Sequence, residues 1–219
     1  MKIKNSVFLV ILFFLGNQAC MSQNNTYAEG FYVNHQNDTV KGFFLPNKHN
    51  ILSDLKFKSD LNDSSYSSIS FDTCKVLSFK KNFYKNWYGK RSMVYIDKFD
   101  FSIVNSDSFK TEMIPLKLIY RGTFLSLYYY SDVTDHFFMG LDESVQELLI
   151  SYRYSTSLEK LQNPKNPPTY FTNPVYRYQI IAAMPASLTM RQRLFIENSE
   201  YGITDLIRLF KKIDHFVNK

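Results

Sequence analysis

The chain has 219 residues, of which 45% are hydrophobic and 17% aromatic, and its formal net charge is +6. This length suits one domain or two small ones, and the apolar content is ample for a packed core. The composition therefore excludes a chain that is disordered throughout.

The first 22 residues have the pattern of a signal peptide. Lys2 and Lys4 precede an apolar run from residue 7 to residue 15, and a polar segment of small residues ends near Ser22. That run is shorter than the ~20 residues that a membrane-spanning helix needs, and no later run approaches this length. Cleavage after Ser22 removes two lysines and no acid, which lowers the net charge from +6 to +4. We therefore expect an exported cell-envelope protein that is periplasmic, associated with the outer membrane or secreted, with no transmembrane segment in its mature chain.

A lipoprotein signal is the alternative, because Cys20 follows Ala19 and could be the acylated cysteine of a bacterial lipoprotein. Lipoprotein signals have Leu or a similar apolar residue three positions before the cysteine, and Asn17 stands there. We therefore expect cleavage after Ser22 and keep lipidation of Cys20 as the alternative. Once the leader is removed, Cys74 has no disulfide partner in the chain, and we predict a small buried residue.

The first half of the mature chain alternates like a β-sheet. In the stretch GFYVNHQNDTVKGFF, Phe31 and Val33 share one face of an apolar run. Val40 and Phe44 share a face of the next run, and residues 34–38 between them tolerate turn dihedrals. This pattern predicts a β-hairpin.

Further strands are predicted from β-branched and aromatic content at residues 54–58, 68–79, 93–103, 113–119, 124–130 and 136–139. Residues 142–154 fit either a helix or a returning strand. We favour the strand because the run at 136–139 is short and needs a partner.

Residues 156–173 are rich in proline and polar side chains, which predicts a linker or surface loop because proline cannot donate to a sheet ladder. Asn173 and Pro174 form a good N-cap and first-turn pair, which predicts a helix that continues to about residue 184 and ends at Pro185. A second helix is predicted from residue 189 to residue 198, where Thr189 and Gln192 have the spacing of a capping box.

A third helix is predicted from about residue 203. Its apolar stripe contains residues 203, 206, 207, 210, 213 and 217. Isolated helices of this length are marginal in water, so we expect these helices to pack on the sheet, with a role at a membrane surface as the alternative. The expected fold is α+β: an antiparallel β region at 23–155, forming a sandwich or a partly open barrel, followed by the loop at 156–173 and about three packed helices at 174–219.

Three phrases of the sequence resemble a family of uncharacterised secreted proteins from Bacteroidota. These phrases are EGFYVNHQNDTVKGFF after the leader, YRGTFLSLYYYSD followed by HFFM, and a Tyr-rich helical end with Tyr201, Leu206 and Leu209. Such proteins begin with a hairpin resembling GYIVTxNGDTxKG, and here Gly30, Val33, Asp38, Thr39, Lys41 and Gly42 fill that pattern. Asn37 stands where the family often has Gly, an exchange that Asn tolerates because it adopts left-handed dihedrals. The resemblance implies no activity and no catalytic residues.

Signals for enzyme chemistry are few. The sequence has no Gly-rich phosphate loop, no paired metal-ligand motif and no Gly-x-Ser-x-Gly elbow. His35 beside Asp38 is half of a metal site at most, and we favour a turn there. In the segment SDVTDH, Asp132, Asp135 and His136 are close enough to ligate a cation or to pair an acid with a base, although the same residues are ordinary in turns. We expect no catalytic residue, no metal and no cofactor.

A run of cations interleaved with aromatic rings is the best candidate binding surface. The segment KVLSFKKNFYKNWYGKR contains no acid, and its candidate patch is Lys80, Lys81, Lys85, Trp87, Tyr88, Lys90 and Arg91. Cations hold anionic groups and flat rings stack on sugar faces, so the patch suits an anionic glycan, lipopolysaccharide or an envelope protein; nucleic acid is not expected. The alternative is a hairpin with rings packed inward and solvated lysines. The sequence thus favours a non-enzymatic binding or structural module, with a hydrolase of envelope glycans as the alternative.

Overall fold

The structure is a computed structural model that describes residues 27–45, 55–97, 102–104, 108–162, 169–185 and 188–218. The expected leader and Cys20 lie outside the described residues. Within those ranges, no helix combines the length and the apolar character needed to cross a lipid bilayer.

In the described chain, ten strands form one antiparallel sheet and four form two small ribbons. The strands are β1 (Ala28–Asn34), β2 (Thr39–Leu45), β3 (Leu55–Lys58), β4 (Ser67–Ile69), β5 (Cys74–Phe79), β6 (Asn82–Ser92), β7 (Tyr95–Ile96), β8 (Ile103–Val104), β9 (Phe109–Arg121), β10 (Ser126–Ser131), β11 (Asp135–Leu141), β12 (Ser144–Leu148), β13 (Ser151–Tyr154) and β14 (Tyr170–Asn173). The large sheet has the order β12-β11-β10-β9-β6-β5-β1-β2-β3-β4, and the ribbons are β7-β8 and β13-β14. The helices are α1 (Ser157–Gln162), α2 (Val175–Ala183), α3 (Met190–Glu197) and α4 (Ile203–Val217). The predicted α+β class is confirmed, and the sheet is open.

The predicted hairpin is confirmed as β1 and β2, in which Val33 lies opposite Thr39. At its turn Asn37 has a φ of 70°, a left-handed dihedral that Asn accepts more readily than most residues. His35, the candidate half of a metal site, places Nε2 2.9 Å from the backbone oxygen of Asp72. The turn reading of this segment therefore fits the geometry.

Strands β1–β6 enclose a core of aromatic rings. Phe44, Phe57 and Phe79 are at most 5% exposed, and the Phe44 and Phe57 centroids lie 5.1 Å apart. The chain passes these rings closely at Gly42, where a Cβ would lie 2.4 Å from the backbone oxygen of Lys58. Cys74 is buried and free, as predicted, and burial, with help from Asp72, raises the pKa of its thiol to about 11.

At the other end of the sheet, helices cover β10–β12, as predicted. Leu206, Leu209, Phe210 and Ile213 of α4 are at most 1% exposed, and they share a core with Leu127, Phe137 and Leu148 of the sheet. The four α4 residues recur at intervals of three and four positions, which places them on one face of the helix. Ile203, which was expected on this stripe, is instead 41% exposed.

Three details of the C-terminal half correct or confirm local predictions. Asn173 is not the N-cap of a helix, because it ends β14 and pairs with Ser151; Pro174 takes the N-cap position without a side-chain bond. The range 156–173 is not a loop throughout, since it contains α1 and β14. The capping box of Thr189 and Gln192 is confirmed, and so is strand structure within 142–154.

The sheet curls so that β6 approaches β12 across its concave face. The Trp87 indole N–H donates to the backbone oxygen of Val145 at 3.1 Å, and the Ser92 backbone N–H donates to Glu147 Oε2 at 2.6 Å. A buried apolar cluster of Ile114, Leu116 and Phe138 fills the space between β6 and β12. This curl brings the end of β6 close to side chains from the later strands β9, β11 and β12.

The outer edge of β12 is covered by a side chain. Gln179 of α2 donates from Nε2 to the backbone oxygen of Glu147 and accepts through Oε1 from the backbone N–H of Leu149, both at 2.8 Å. The amide thereby occupies backbone hydrogen-bonding positions that a neighbouring strand would otherwise use.

Candidate functional site: a buried ion network beside a tyrosine-lined pocket

Arg91 is the centre of an ion network at one end of the curl. It lies near the end of β6 and is 3% exposed. Its Nη2 lies 2.6 Å from Glu112 Oε1 on β9 and 2.9 Å from Asp132 Oδ2, which follows β10. A guanidinium is well suited to this role because its donors are fixed in one plane and reach two carboxylates at once.

His136 and Glu147 extend the network to β11 and β12. His136 Nδ1 lies 2.7 Å from Glu147 Oε1, while its Nε2 lies 3.0 Å from Arg91 Nη1 and 3.2 Å from Asp132 Oδ1. Because Arg91 can only donate, a neutral ring with its proton on Nδ1 satisfies the Glu147 and Arg91 contacts together. A protonated ring donates through Nε2 to Asp132 instead.

Strand alternation explains why these side chains face each other. Side chains on a strand point to opposite faces in turn, and directly paired residues share a face. Gly89 pairs with Glu112 and Phe138 pairs with Glu147, which places Glu147 on the same face as the buried cluster that includes Phe138. The curl of the sheet then closes this face around Arg91.

The network holds two carboxyl groups in their ionised form. Burial opposes ionisation of Asp132, but the Thr134 backbone N–H, Arg91 and His136 outweigh it and lower the pKa of its carboxyl below the ordinary 3.8. Burial also opposes ionisation of Glu112, and Lys110 together with Arg91 lowers the pKa of that carboxyl below 4.5. Both groups are therefore anionic near neutral pH.

A pocket of about 680 Å³ opens beside this network. Asp132, Asp135, His136 and Glu147 line one side, and Tyr152, Tyr170 and Tyr201 also line the pocket. The Tyr152 and Tyr170 rings are perpendicular, at 87°, with centroids 5.9 Å apart. Burial, followed by the influence of Tyr170, raises the pKa of Tyr152, so its hydroxyl stays protonated. The pocket thus combines carboxylates with aromatic walls.

The structure brings together the three residues of the segment SDVTDH and adds others. Asp135 accepts from the Tyr129 hydroxyl at 2.7 Å and from Ser131 Oγ at 3.1 Å, so its hydrogen bonds go to residues outside the ion network. The sequence prediction missed Glu112 and Glu147, which belong to other strands. A signal existed in both cases, since each is a charged residue at an inward position of an alternating strand.

Metal binding has no support in the described part of the chain, where no three His, Cys, Asp or Glu side chains are arranged to hold an ion.

The candidate binding patch is divided between different environments. Lys80 and Lys81 form the exposed turn between β5 and β6, with left-handed φ angles of 49° and 64°. Tyr88 is 69% exposed, and Lys90 is exposed on the same side of β6. Lys85 and Trp87 share the opposite side, where the Trp87 ring packs 4.9 Å from Phe138 and is only partly exposed.

Arg91 does not belong to an exposed patch, because it is buried in the ion network. The prediction placed it on the surface since the run of cations is continuous in sequence, but alternation along β6 sends neighbouring side chains to opposite faces. Binding by the exposed members of the patch stays a prediction.

Comparison of the chain with known proteins assigns neither a family nor a function to it. No family model, no curated protein and no solved structure matches it. The resemblance to secreted proteins of Bacteroidota therefore stays a prediction, and a function has to be argued from the pocket and the surfaces of the molecule.

Proposed function

We propose that the protein is a non-enzymatic binding module of the cell envelope, and that the pocket beside Arg91 and His136 holds a sugar unit of an envelope glycan. The observation that carries this proposal is the presence of carboxylates and tyrosine rings in one cavity of about 680 Å³. Cavities of roughly 300–1,000 Å³ are typical of sites for small ligands.

The chemistry of the walls fits a sugar. Asp135 offers a carboxylate at the pocket wall, which accepts hydrogen bonds from hydroxyl groups. The rings of Tyr152 and Tyr170 offer flat apolar surfaces on which the C–H face of a sugar can lie. Such a combination of a few placed polar groups with aromatic surface is the usual composition of a ligand pocket.

The charge of the pocket favours a neutral or amine-bearing sugar over an acidic one. Asp132, Asp135 and Glu147 all line the cavity. Arg91 offsets part of this negative charge, but it is shared between Asp132 and Glu112, so the acids of the site still outnumber the cation that pairs with them. An anionic envelope polymer, which the lysine-rich segment led us to expect, would therefore bind elsewhere on the surface.

The alternative function, a hydrolase of envelope glycans, has less support from the geometry. A glycosidase with two carboxyl groups needs one of them protonated to act as the general acid. The lowered pKa of Asp132 keeps it ionised, and Glu147 already accepts hydrogen bonds from His136 and Ser92. Release of reducing ends by the wild type, lost in Glu147→Gln, would favour the hydrolase.

Isothermal titration against neutral, amine-bearing and acidic oligosaccharides tests the binding proposal. Tyr152→Ala should weaken binding about tenfold, by analogy with the 1–3 kcal/mol that ring stacking contributes in nucleic-acid binding. Tyr178→Ala is the matched control, since that ring is 70% exposed on α2 and does not line the pocket. The proposal fails if the wild type binds none of these sugars, or if both variants bind and melt like the wild type.

Intact-mass measurement of the protein from its native host tests export. A mature chain that begins at or near Gln23 without lipid is the expected result. A diacylglycerol-modified Cys20 at the N-terminus would show instead that the chain is anchored.

A further inference from the structure

A groove between α3 and α4 is lined by cations and phenylalanine rings. It has a volume of about 500 Å³, and its wall contains Arg191, Lys212 and His215 with Phe195 and Phe216. The two rings meet edge to face, with centroids 6.3 Å apart. No acid belongs to the described lining of this groove.

Each of the two helices contributes one cation and one phenylalanine to the groove. Arg191 is four residues before Phe195 on α3, and Lys212 is four residues before Phe216 on α4. Residues separated by four lie one above the other on a helix, so each helix presents a cation next to a ring. Both cations are exposed, and within the described chain neither forms an ion pair with an acid.

Exposed apolar side chains continue from the groove along α3. Met190 is 72% exposed and Leu194 is 48% exposed, and they occupy the helix stripe next to Arg191 and Phe195. Only Ile196 of this helix is buried. Packing within the domain therefore accounts for Ile196 and for the contact between Phe195 and Phe216, and it leaves Met190 and Leu194 facing outward.

We propose that this groove and the adjoining side of α3 form a docking surface for an anionic phospholipid bilayer. A protein held at a membrane surface inserts exposed apolar side chains at the headgroup level while its cations contact anionic headgroups. Arg191 and Lys212 supply the charge complementarity, and Met190 and Leu194 supply the apolar contact. A soluble phosphate or a polyanionic glycan would use the cations and leave the apolar side chains without a role.

This proposal is independent of the pocket beside Arg91. It concerns cations on two of the helices that cover the β10–β12 end of the sheet. It also differs from the lysine-rich β5–β6 segment, whose exposed cations lie on a turn and a strand.

Vesicle co-sedimentation of the processed, unlipidated chain tests the proposal. The chain should bind vesicles that contain phosphatidylglycerol and not vesicles of phosphatidylcholine alone. Each Lys or Arg near an anionic bilayer contributes about fivefold to partitioning, so Arg191→Gln/Lys212→Gln should reduce binding roughly 25-fold. Met190→Ser/Leu194→Ser should abolish the part of the binding that resists high salt.

The control variant is Lys41→Gln/Lys160→Gln, which removes the same charge from exposed sites far from the groove in sequence. It should bind vesicles nearly as well as the wild type, and all variants should keep the parental melting temperature. The proposal is overturned if the wild type binds no anionic vesicles, or if it binds phosphatidylcholine equally well. It is also overturned if the control loses as much binding as the groove variant, or if inorganic phosphate displaces the protein from vesicles more strongly than sodium chloride of the same ionic strength.

Discussion

The two ends of the ten-stranded sheet are stabilised in different ways. At the β1–β5 end, rings such as Phe44 and Phe57 come from neighbouring hairpin strands, so the core forms between segments that are close in sequence. At the β10–β12 end, the covering elements come from far along the chain, and Tyr120 bonds Asp214 across 94 residues. Contacts between distant segments require the closure of long loops before they contribute to stability.

This difference places the candidate site in the part of the molecule that is assembled from the most distant pieces. Arg91, Glu112 and Glu147 belong to β6, β9 and β12, and the pocket also needs β13 and β14. The β1–β5 end contributes no side chain to the described lining of the pocket. We infer that the β1–β5 end supports the fold, while the β10–β12 end positions the residues of the site.

Truncation after Gln162 should have the largest effect, because it removes the helices that cover the β10–β12 end of the sheet. The shortened chain lacks α2–α4 and exposes Leu127, Phe137 and Leu148, which are at most 1% exposed in the full chain. We expect an insoluble or unfolded product, measured by expression and thermal melting. A soluble fragment with a cooperative melt would contradict the idea that the helices are an integral cover of the sheet.

Arg91→Met should be the most damaging point substitution at the site. It leaves Glu112 and Asp132 without their shared cation, and loss of one partner of a buried ion pair costs about 3–5 kcal/mol. Chemical denaturation measures this loss. The control is Arg153→Met, whose pair with Glu159 is exposed, and it should lose far less stability. Equal losses in the two variants would mean that the network is energetically an ordinary surface feature.

A matched pair of leucines compares the two ends directly. Leu77 of β5 and Leu209 of α4 are each at most 1% exposed, and replacing either with Ala should cost about 2–5 kcal/mol through a cavity. If the ends fold as one unit, both variants should show a single transition at a lower temperature. Two separate transitions in Leu209→Ala, with the upper one unchanged, would show that the β1–β5 end folds independently.

Tyr120→Phe should weaken the attachment of α4 to β9 by a smaller amount. The Tyr120 hydroxyl donates to Asp214, which also accepts from the Phe124 backbone N–H at 3.0 Å. Burial, then the bond to Asp214, raises the pKa of Tyr120 to about 12. Loss of a hydrogen bond to a charged group costs about 1.5–3 kcal/mol, which denaturant unfolding resolves. An unchanged midpoint would show that the bond is not significant in solution.

Acid should destabilise the β10–β12 end of the sheet, which carries the candidate site, by less than any of the substitutions above. The pKa values of Asp132 and Glu112 are lower in the folded chain than their ordinary 3.8 and 4.5, so their ionised forms contribute stability at pH values above these. That contribution is lost as the pH falls through the lower folded values, and partial exposure keeps it modest. Urea unfolding between neutral pH and pH ~3 should show this slope, and Arg91→Met should flatten it. A slope that is identical in Arg91→Met would assign the acid sensitivity to other groups.

Local signals in the sequence predicted much of the fold. The hairpin at residues 30–44 could be read because alternation and turn residues such as Asn37 act within a few positions. The capping box of Thr189 and Gln192 is equally local. Asn173 shows the limit of such signals, because pairing with Ser151 in the β13–β14 ribbon outweighs its preference for a helix N-cap.

The candidate site could be predicted only in part. Asp132, Asp135 and His136 are close in sequence and stay close in the fold. Their partner Glu147 joins them because it lies on the next strand, and Arg91 joins them because the sheet curls. Neither the curl nor the perpendicular setting of Tyr152 and Tyr170 has a local signature in the sequence.

The covered edge of β12 has a consequence for assembly between molecules. Trp87 and Gln179 fill its backbone hydrogen-bonding positions, so a strand from another chain cannot add there without first displacing them. The opposite edge, β4, is three residues long and offers little backbone for pairing. The sheet therefore resists end-to-end polymerisation and amyloid-like growth, because copies of the chain find little free backbone at either edge with which to pair.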